Sequence, residues 1–267
     1  MSLPYLGICA QVKNEGPYIY EWLAFHRAVG VSRFTIYDNG STDNTVDEIR
    51  RFPYPVDLIP WPGSAVQVAA YNDMIQKRRR YAEWVAFIDA DEFLTPRGSQ
   101  SIKDYLRSLP GDVGAVYVNW LCFGSSGQKE HEPGPVTERF QRRGHFGFGP
   151  NRMGKTIARM EQADVVRNVH IVRSKGRMVT MAGNEMDQTL EPGDFKFAPC
   201  HEPLALHHYF TKSWAEWEAR RALGRATRPE GDKDRFRPPA QFHSHDVNDV
   251  VDDTAARIMA QARRATP

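Results

Sequence analysis

Two aspartates separated by one residue, Asp89 and Asp91, follow the short apolar segment 84–88. If that segment is a buried strand, residues i and i+2 point to the same side, so both carboxylates can face one cation. Mg2+ and Mn2+ prefer such oxygen ligands and commonly bridge protein carboxylates to substrate phosphates. The pair therefore predicts a divalent-metal site that neutralises a departing pyrophosphate, with a solvated or helix-capping pair as the alternative.

Two further polar clusters also follow predicted strands. Lys-Asn-Glu occupies residues 13–15 after the apolar segment 5–11, and Asp-Asn-Gly-Ser-Thr-Asp occupies residues 38–43 after the segment 34–37. Ligands of open α/β sheets bind at the carboxyl ends of the strands, so the three clusters are expected to share one rim. There Asp38 is suited to bond the base or ribose of a nucleotide, whereas a plain turn with a helix cap is the alternative.

The elements that must position these groups alternate between strand and helix through the first 120 residues. The predicted strands are 5–11, 34–37, 56–59 and 84–88, and the predicted helices are 17–29, 45–51 and 65–80. This alternation indicates an α/β fold with parallel strands. The later half is less regular, with strands expected within 111–120 and at 137–142, 155–159 and 169–172, a loop at 123–135, a helix at 214–223, a linker at 225–245 and a terminal helix at 246–264.

Composition excludes several classes of protein. The 267 residues are 41% hydrophobic and 25% charged, as in ordinary soluble domains, and the net charge of +2 argues against a nucleic-acid partner. The three cysteines, Cys9, Cys122 and Cys200, form neither a zinc pattern nor a disulfide framework, so a cytoplasmic location is expected. No apolar run is long enough for a transmembrane segment, and peripheral membrane contact stays open.

Several motifs, in a fixed order along the chain, resemble those of one enzyme group. They are KNE at 13–15, EWLAFH at 21–26, IYDNGSTD at 36–43, FIDADEFL at 87–94, WLCFGSSG at 120–127, GPVTERF at 134–140 and HHY at 207–209 with KS at 212–213. Together they resemble the glycosyltransferase family 2-like group, in its branch similar to glycosyltransferase family 92. The resemblance spans roughly residues 6 to 224.

The resemblance implies a GT-A fold, which is α/β with a Rossmann-like mixed, mostly parallel sheet flanked by helices, here with a C-terminal helical extension. Residues 1–224 would form the glycosyltransferase domain, with a nucleotide-binding half at 1–120 and an acceptor-side half at 121–224, and residues 225–267 a charged linker and helix. It further implies a metal-dependent transferase that uses Mn2+ or Mg2+ and inverts the anomeric carbon. The expected partners are a nucleotide-sugar donor, often a uridine diphosphate sugar, and a glycan or other hydroxyl acceptor of polysaccharide biosynthesis.

The resemblance also implies roles for individual residues. The expected metal ligands are Asp89, Asp91 and His208, with His207 as the substitute if the register differs by one. The expected donor contacts are Asn14, Glu15, Asp38, Asp43 and Asp89. From their own chemistry, Lys155 and Lys212 are candidate point charges for the donor phosphates, with a solvated lysine as the alternative. The family's usual Glu-Asp catalytic dipeptide is not evident, so the candidates for the base are Glu138, Asp187 and Glu92.

Three other functions are weighed against this one. A nucleotidyltransferase of related fold needs a glycine-rich phosphate loop after the first strand, whereas residues 12–17 read Val-Lys-Asn-Glu-Gly-Pro. A phosphohydrolase with an aspartate nucleophile expects a hydroxyl residue shortly after the second Asp, where this chain has Glu92 and Phe93. A non-catalytic nucleotide- or carbohydrate-binding module differs from an enzyme in lacking metal-stimulated donor hydrolysis.

Overall fold

In the computed structural model, residues 4–191, 194–225 and 228–265 are described. Within those ranges the strands are β1 (Leu6–Val12), β2 (Arg33–Asp38), β3 (Val56–Pro60), β4 (Trp84–Phe87), β5 (Glu92–Pro96), β6 (Val113–Cys122), β7 (Arg142–Arg143), β8 (Gly154–Arg159), β9 (Ala163–Asn168), β10 (Ile171–Ser174), β11 (Arg177–Thr180), β12 (Leu204–His208) and β13 (Val250–Val251). The α-helices there are α1 (Ile19–Ala28), α2 (Thr45–Arg51), α3 (Gln67–Lys77), α4 (Ile102–Ser108), α5 (Val136–Arg139), α6 (Trp214–Leu223), α7 (Ala240–His245) and α8 (Thr254–Ala265).

One large sheet runs through the described part of the chain in the order β3-β2-β1-β4-β8-β6-β12-β5, with β11 also paired to β6. The four strands at the β3 end are mutually parallel, because helices α1, α2 and α3 provide the crossovers between them. Antiparallel β8 joins β4 to β6, and β5 pairs antiparallel with β12. The predicted α/β architecture, with a Rossmann-like mixed and mostly parallel sheet, is confirmed.

Strands β1 and β4 are buried along their whole length, which explains why β4 is continuously apolar and why Gln11 is the one polar side chain in β1. Helix α1 covers one face of this region with Trp22, Leu23 and Phe25, all fully buried. Helix α3 covers the other face with Tyr71 and Met74. The two layers fix the carboxyl ends of β1 and β4 rigidly, and the polar clusters follow directly from those ends.

The strand expected at 137–142 is wrong. Residues Val136–Arg139 form a short helix instead, and only Arg142–Arg143 are extended. The cause is the carboxylate of Glu21, which accepts the N–H of Val136 at 2.6 Å and the N–H of Thr137 at 3.0 Å. These N–H groups open the helix and have no partner within it, so a buried acceptor on α1 stabilises the turn.

The C-terminal expectations also need correction. The segment 225–245, expected as a linker without structure, ends in helix α7, and the terminal helix begins at Thr254 rather than near residue 246. Strand β13 pairs with β7 before that helix. The strand expected at 169–172 is shifted to Ile171–Ser174 and pairs with β9.

Helix α8 packs on the rest of the fold through Ala255 and Met259, which join the main apolar core. Just before it, Asp252 is buried and accepts bonds from Arg97 at 2.9 Å and from Arg143 at 2.8 Å. The end of the chain is thereby fixed to β7 and to the loop after β5. Across the described ranges, no helix combines the length and apolar character that a membrane crossing requires.

Candidate functional site

A cavity of about 550 Å3 opens at the carboxyl ends of β1 and β4, where the polar clusters were expected to meet. One side is formed by Glu15, Asn39 and Gln67, and the floor by Asp89 and Asp91. The far side comes from Trp120 and from residues later in the chain, namely His170, His208, Phe210, Arg220 and Arg237. The predicted metal ligands and part of the predicted donor site therefore line one cavity.

Asp89 is held by buried neutral and cationic donors. Lys155 Nζ lies 2.9 Å from one carboxylate oxygen, and Gln67 Nε2 donates to the other at 2.6 Å. Burial lowers the pKa of Lys155, but the carboxylates of Asp89 and Glu92 outweigh that effect, so its pKa is raised overall. Lys155 is thus a charged, buried counter-ion of Asp89, and it lies behind the cavity lining.

Asp91 is almost fully buried and faces two groups from later in the chain. Arg220 of α6 lies 2.6 Å from Asp91 Oδ2, and His208 Nε2 lies 3.4 Å from the same oxygen. Burial would raise the pKa of Asp91, but Arg220 and His208 more than offset it and hold the pKa well below its ordinary value. Asp91 is therefore a permanent anion at the cavity floor.

The two neighbouring histidines point to opposite faces of β12, as strand geometry requires. His208 packs on Trp120, with ring centroids 4.1 Å apart, and lines the cavity. His207 packs on Phe123 away from it, and burial lowers its pKa to about 3, so it is a neutral core residue. Between the two predicted alternatives, the geometry brings His208 to Asp91.

The donor set at Asp91 and His208 fits a divalent ion such as Mn2+, which accepts both carboxylate and imidazole ligands. His208 Nδ1 is buried without a hydrogen-bond partner, and Arg220 already supplies a positive charge where a cation would contact Asp91. Within the described ranges, however, no three His, Cys, Asp or Glu side chains are preassembled around one point. Asp89 would have to turn from Lys155 to become a third ligand.

Glu92 lies beneath this floor and is fully buried. Its carboxylate accepts the N–H of Asp89 at 2.8 Å and the indole N–H of Trp120 at 2.7 Å. Burial raises the pKa of Glu92 to about 8, with Lys155 opposing the change. Both oxygens bond protein groups, so Glu92 positions Asp89 and Trp120 and does not border the cavity.

A second cavity of about 260 Å3 adjoins the first and gathers four predicted donor contacts: Asn14, Glu15, Asp43 and Lys212. Asp43 accepts the N–H of Gly16 at 3.0 Å, and Asn14 accepts the N–H of Thr42 at 2.8 Å, so these side chains join the loops after β1 and β2. Burial lowers the pKa of Lys212 and raises that of Glu15, and each charge partly offsets the effect on the other.

Besides Glu92, three predicted carboxylates lie outside both cavities. The carboxylate of Asp38 accepts the N–H of Ser41 at 3.1 Å within its own loop. Glu138 is exposed on α5 and bonds Arg263 of α8 at 2.7 Å. Asp187 is exposed in a turn and accepts the N–H of Thr189 at 2.8 Å. The structure does not bring these carboxylates to Asp91, and their assigned roles stay predictions.

Sequence reasoning did not find the cationic side of the cavity. Arg220 lies seven residues after Ser213, the N-cap of α6, and so on the same face as Glu216 and Trp217. That spacing could have indicated that Arg220 points inward with the buried Trp217. For Gln67 and His170, which also line the cavity, the sequence carries no comparable signal.

Comparison with known proteins matches a large part of the chain to one family. The sequence model of glycosyltransferase family 92 matches residues 6–217. A glycosyltransferase family 92 protein of Oryza sativa subsp. japonica is 36% identical over 129 residues, and one of Arabidopsis thaliana is 31% identical over 137 residues. These matches cover 45% and 49% of this chain but 22% and 23% of the relatives, so the chain spans about a quarter of the length of the relatives it matches.

Two solved structures show partial likeness. Glucosyl-3-phosphoglycerate synthase from Mycobacterium tuberculosis, solved with Mn2+ and UDP-glucose, has a TM-score of 0.31 and 18% identity, covering 43% of each chain. HddC from Yersinia pseudotuberculosis has a TM-score of 0.40 and 10% identity, covering 65% of this chain and 88% of its own.

Proposed function

Because the chain belongs to glycosyltransferase family 92, we propose that it transfers a sugar from a nucleotide-sugar donor, a uridine diphosphate sugar, to a hydroxyl group of a glycan acceptor. The observation that carries the proposal is the convergence of Asp91, His208 and Arg220 on one cavity at the carboxyl ends of β1 and β4. Such a strand-end cavity is where open α/β sheets bind nucleotides.

The donor's nucleoside would lie toward the loops after β1 and β2, with Asn14, Glu15, Asp38 and Asp43 as its contacts. Its diphosphate would lie over Asp89 and Asp91, within reach of the cations that already adjoin them. Lys155 and Arg220 neutralise the two carboxylates and so prevent them from repelling an incoming diphosphate. Lys212, in the adjoining cavity, supplies a further positive charge at the donor side.

Asp91 and His208, joined by Asp89, would hold the divalent cation of a metal-dependent transferase. When bound, the cation supplies Lewis-acid stabilisation of the departing nucleoside diphosphate. The protein's own contribution is to keep Asp91 ionised, which Arg220 favours, and to orient His208 through its contact with Trp120. Inversion requires one carboxylate to take the acceptor proton, and Glu138 and Asp187 remain the proposed bases.

The proposal is tested by measuring UDP binding and sugar transfer with and without Mn2+. We expect Asp91→Asn to abolish metal-stimulated transfer, and His208→Ala to weaken metal affinity with less effect on nucleotide affinity. Asp38→Ala should weaken nucleotide binding by about 1 kcal/mol, the value of one hydrogen bond. Asp47→Asn is the matched control, because its side chain is 81% exposed on α2.

The outcomes separate the components of the proposal. Full transfer activity in excess chelator would refute the metal requirement while leaving the transferase intact. Metal-dependent UDP binding without transfer or donor hydrolysis, over a panel of UDP-sugars and glycans, would instead indicate a binding module. Absence of nucleotide binding by calorimetry would overturn the assignment of the cavity.

A further inference from the structure

Four arginines from one short stretch of sequence line the main cavity. Arg228 pairs with Asp232 at 3.3 Å. The other three, Arg225, Arg235 and Arg237, are referred to as the arginine wall. Arg237 lies close to Phe210, with its guanidinium carbon 5.4 Å from the ring centroid. Arg220 lies 5.3 Å from the same centroid. The arginine wall therefore adds positive charge near the cation that already pairs with Asp91.

The cations that pair with the floor carboxylates and those of the arginine wall differ in their partners. Lys155 pairs with Asp89 at 2.9 Å, and Arg220 pairs with Asp91 at 2.6 Å. In the described ranges, no arginine of the wall lies within 4.0 Å of a carboxylate oxygen; Arg225 bonds the amide of Gln241 at 3.4 Å, and its buried Nε has no partner. Three positive charges thus border the cavity without a protein carboxylate at ion-pairing distance, and Asp91 and Asp89 act on Arg237 only from farther away.

Such an arrangement is costly without a ligand. Burial, reinforced by the charge of Arg220, lowers the pKa of Arg237 to about 9, so the protein environment disfavours its charged form. An unpaired cation removed from water destabilises the folded state unless an anion compensates for it. The arginines are therefore placed where an anionic ligand would gain most from binding.

The backbone holds the arginine wall in position over the cavity. Arg221 Nε donates to the carbonyl of Arg237 at 2.6 Å, and the N–H of Arg225 donates to the carbonyl of Arg235 at 2.9 Å. The Arg235 side chain packs against Gly224, where an added Cβ would lie 2.8 Å from its Nε. These contacts tie Arg235 and Arg237 to the end of α6, the helix that presents Arg220.

A charge balance shows that the donor alone does not compensate for the arginine wall. Seven positive charges line or adjoin the cavity: Lys13, Lys155, Arg220, Arg225, Arg228, Arg235 and Arg237. Four carboxylates stand against them, Glu15, Asp89, Asp91 and Glu230, together with the two negative charges of a sugar nucleotide's diphosphate. One positive charge is left over, and a metal ion brought with the diphosphate would increase the excess.

We propose that the arginine wall is an oxyanion subsite for the acceptor, so that the acceptor carries a phosphate or carboxylate group as well as the hydroxyl that receives the sugar. This proposal rests on the proposed function for the meaning of donor and acceptor. Arginine suits both oxyanions because its planar guanidinium donates two parallel hydrogen bonds. The donor's own diphosphate is the other source of an oxyanion, and a competition experiment distinguishes the two.

Inorganic phosphate is titrated into the full chain by calorimetry, first alone and then with UDP at saturation. We expect phosphate to bind in both conditions, because the subsite is separate from the place of the diphosphate. Arg235→Gln and Arg237→Gln should each weaken phosphate binding about tenfold, as expected for loss of a charged hydrogen bond, with UDP affinity changed less than twofold. Arg80→Gln, an exposed arginine just after α3, is the matched control and should change neither affinity.

Saturating UDP that abolishes phosphate binding, together with loss of UDP affinity in the arginine variants, would assign the arginine wall to the donor and overturn the proposal. Equal weakening of phosphate binding by Arg80→Gln would show nonspecific charge attraction and also overturn it.

UDP binding tests the proposed function, whereas phosphate binding in the presence of UDP tests the acceptor subsite. Failure of one proposal is therefore distinguished from failure of the other. With phosphate binding established, a transfer assay that favours neutral sugars over sugar phosphates and uronates would contradict the acceptor class.

Discussion

Helix α6 carries Arg220 into the cavity, and its position depends on a buried ion pair at its first turn. Glu216 accepts two bonds from Arg139, at 2.7 and 3.0 Å, and one from the Tyr18 hydroxyl at 2.9 Å. It also completes a capping box with Ser213, the N-cap residue. The side chains of Arg139 and Glu216 are only 7% and 4% exposed, so removal of one leaves the other charge buried.

The pKa shift of Glu216 gives the size of the stabilisation by this buried pair. Burial would raise the pKa of Glu216, but the bonds from Arg139, Ser213 and Tyr18 outweigh it and lower the pKa from 4.5 to about 2. At about 1.4 kcal/mol per pKa unit, this shift stabilises the fold by on the order of 3 kcal/mol. Breaking a buried pair from one side costs about 3–5 kcal/mol in other proteins. We therefore expect Arg139→Gln to lower the free energy of unfolding at pH 7 by about 3 kcal/mol.

The assay is urea unfolding of the wild type and of Arg139→Gln between pH 7 and pH 3. Because the folded-state pKa is lowered, the contribution of Glu216 is fully present above pH 4.5 and is lost as the pH falls toward about 2. The difference between the two proteins should therefore shrink in acid. The control is Arg257→Gln, which removes an exposed ion pair between Arg257 of α8 and Asp253 just before that helix. It should lower the free energy of unfolding by less than about 1 kcal/mol at any pH.

A loss below about 1 kcal/mol for Arg139→Gln would show that water reaches the pair and that the buried-charge reasoning is wrong. A large loss that does not change between pH 7 and pH 3 would assign the effect to packing of the arginine stem rather than to the charge of Glu216. Either result would also weaken the view that this pair sets the position of Arg220.

Two further predictions concern backbone packing and the catalytic base. An added Cβ at Gly154 would lie 2.0 Å from the carbonyl oxygen of Val118, so Gly154→Ala should cost about 2 kcal/mol or more in chemical unfolding, whereas Gly149→Ala, with open space around it, should cost little. Glu138→Gln should lower the transfer rate by about a hundred- to ten-thousand-fold with donor affinity unchanged. If Asp187→Asn has this effect and Glu138→Gln does not, the first choice of base is wrong.

Features governed by local sequence were predictable. Helix α2 covers Thr45–Arg51 and helix α6 covers Trp214–Leu223, as the apolar spacing and the stop at Gly224 predicted. Strand β4 was found because a continuous apolar run of that length suits a strand buried on both faces. Asp89 and Asp91 both reach the cavity, but the extended backbone expected for them is wrong, because β4 ends at Phe87 and the N–H of Glu92 closes a turn on the carbonyl of Asp89.

Features governed by distant parts of the chain were not predictable. The helix at Val136–Arg139 depends on Glu21, which lies 115 residues earlier, and no local pattern reports that acceptor. The choice between His207 and His208 depends on which face of β12 meets the site, and the pairing of β12 with β5 and β6 decides it. The same holds for Arg220, whose partner Asp91 lies far back in the sequence.

The stretch that carries the arginine wall is anchored on both sides. Before it, helix α6 is fixed by the Glu216–Arg139 pair, and after it Asp252 is held by Arg97 and Arg143. Arg235 and Arg237 lie between these two anchored points and bond the end of α6 through their carbonyls, so an anion that binds them has less ordering to bring about. A substitution at Asp252, remote from the cavity, would therefore raise the entropic cost of anion binding without removing any contact to the anion.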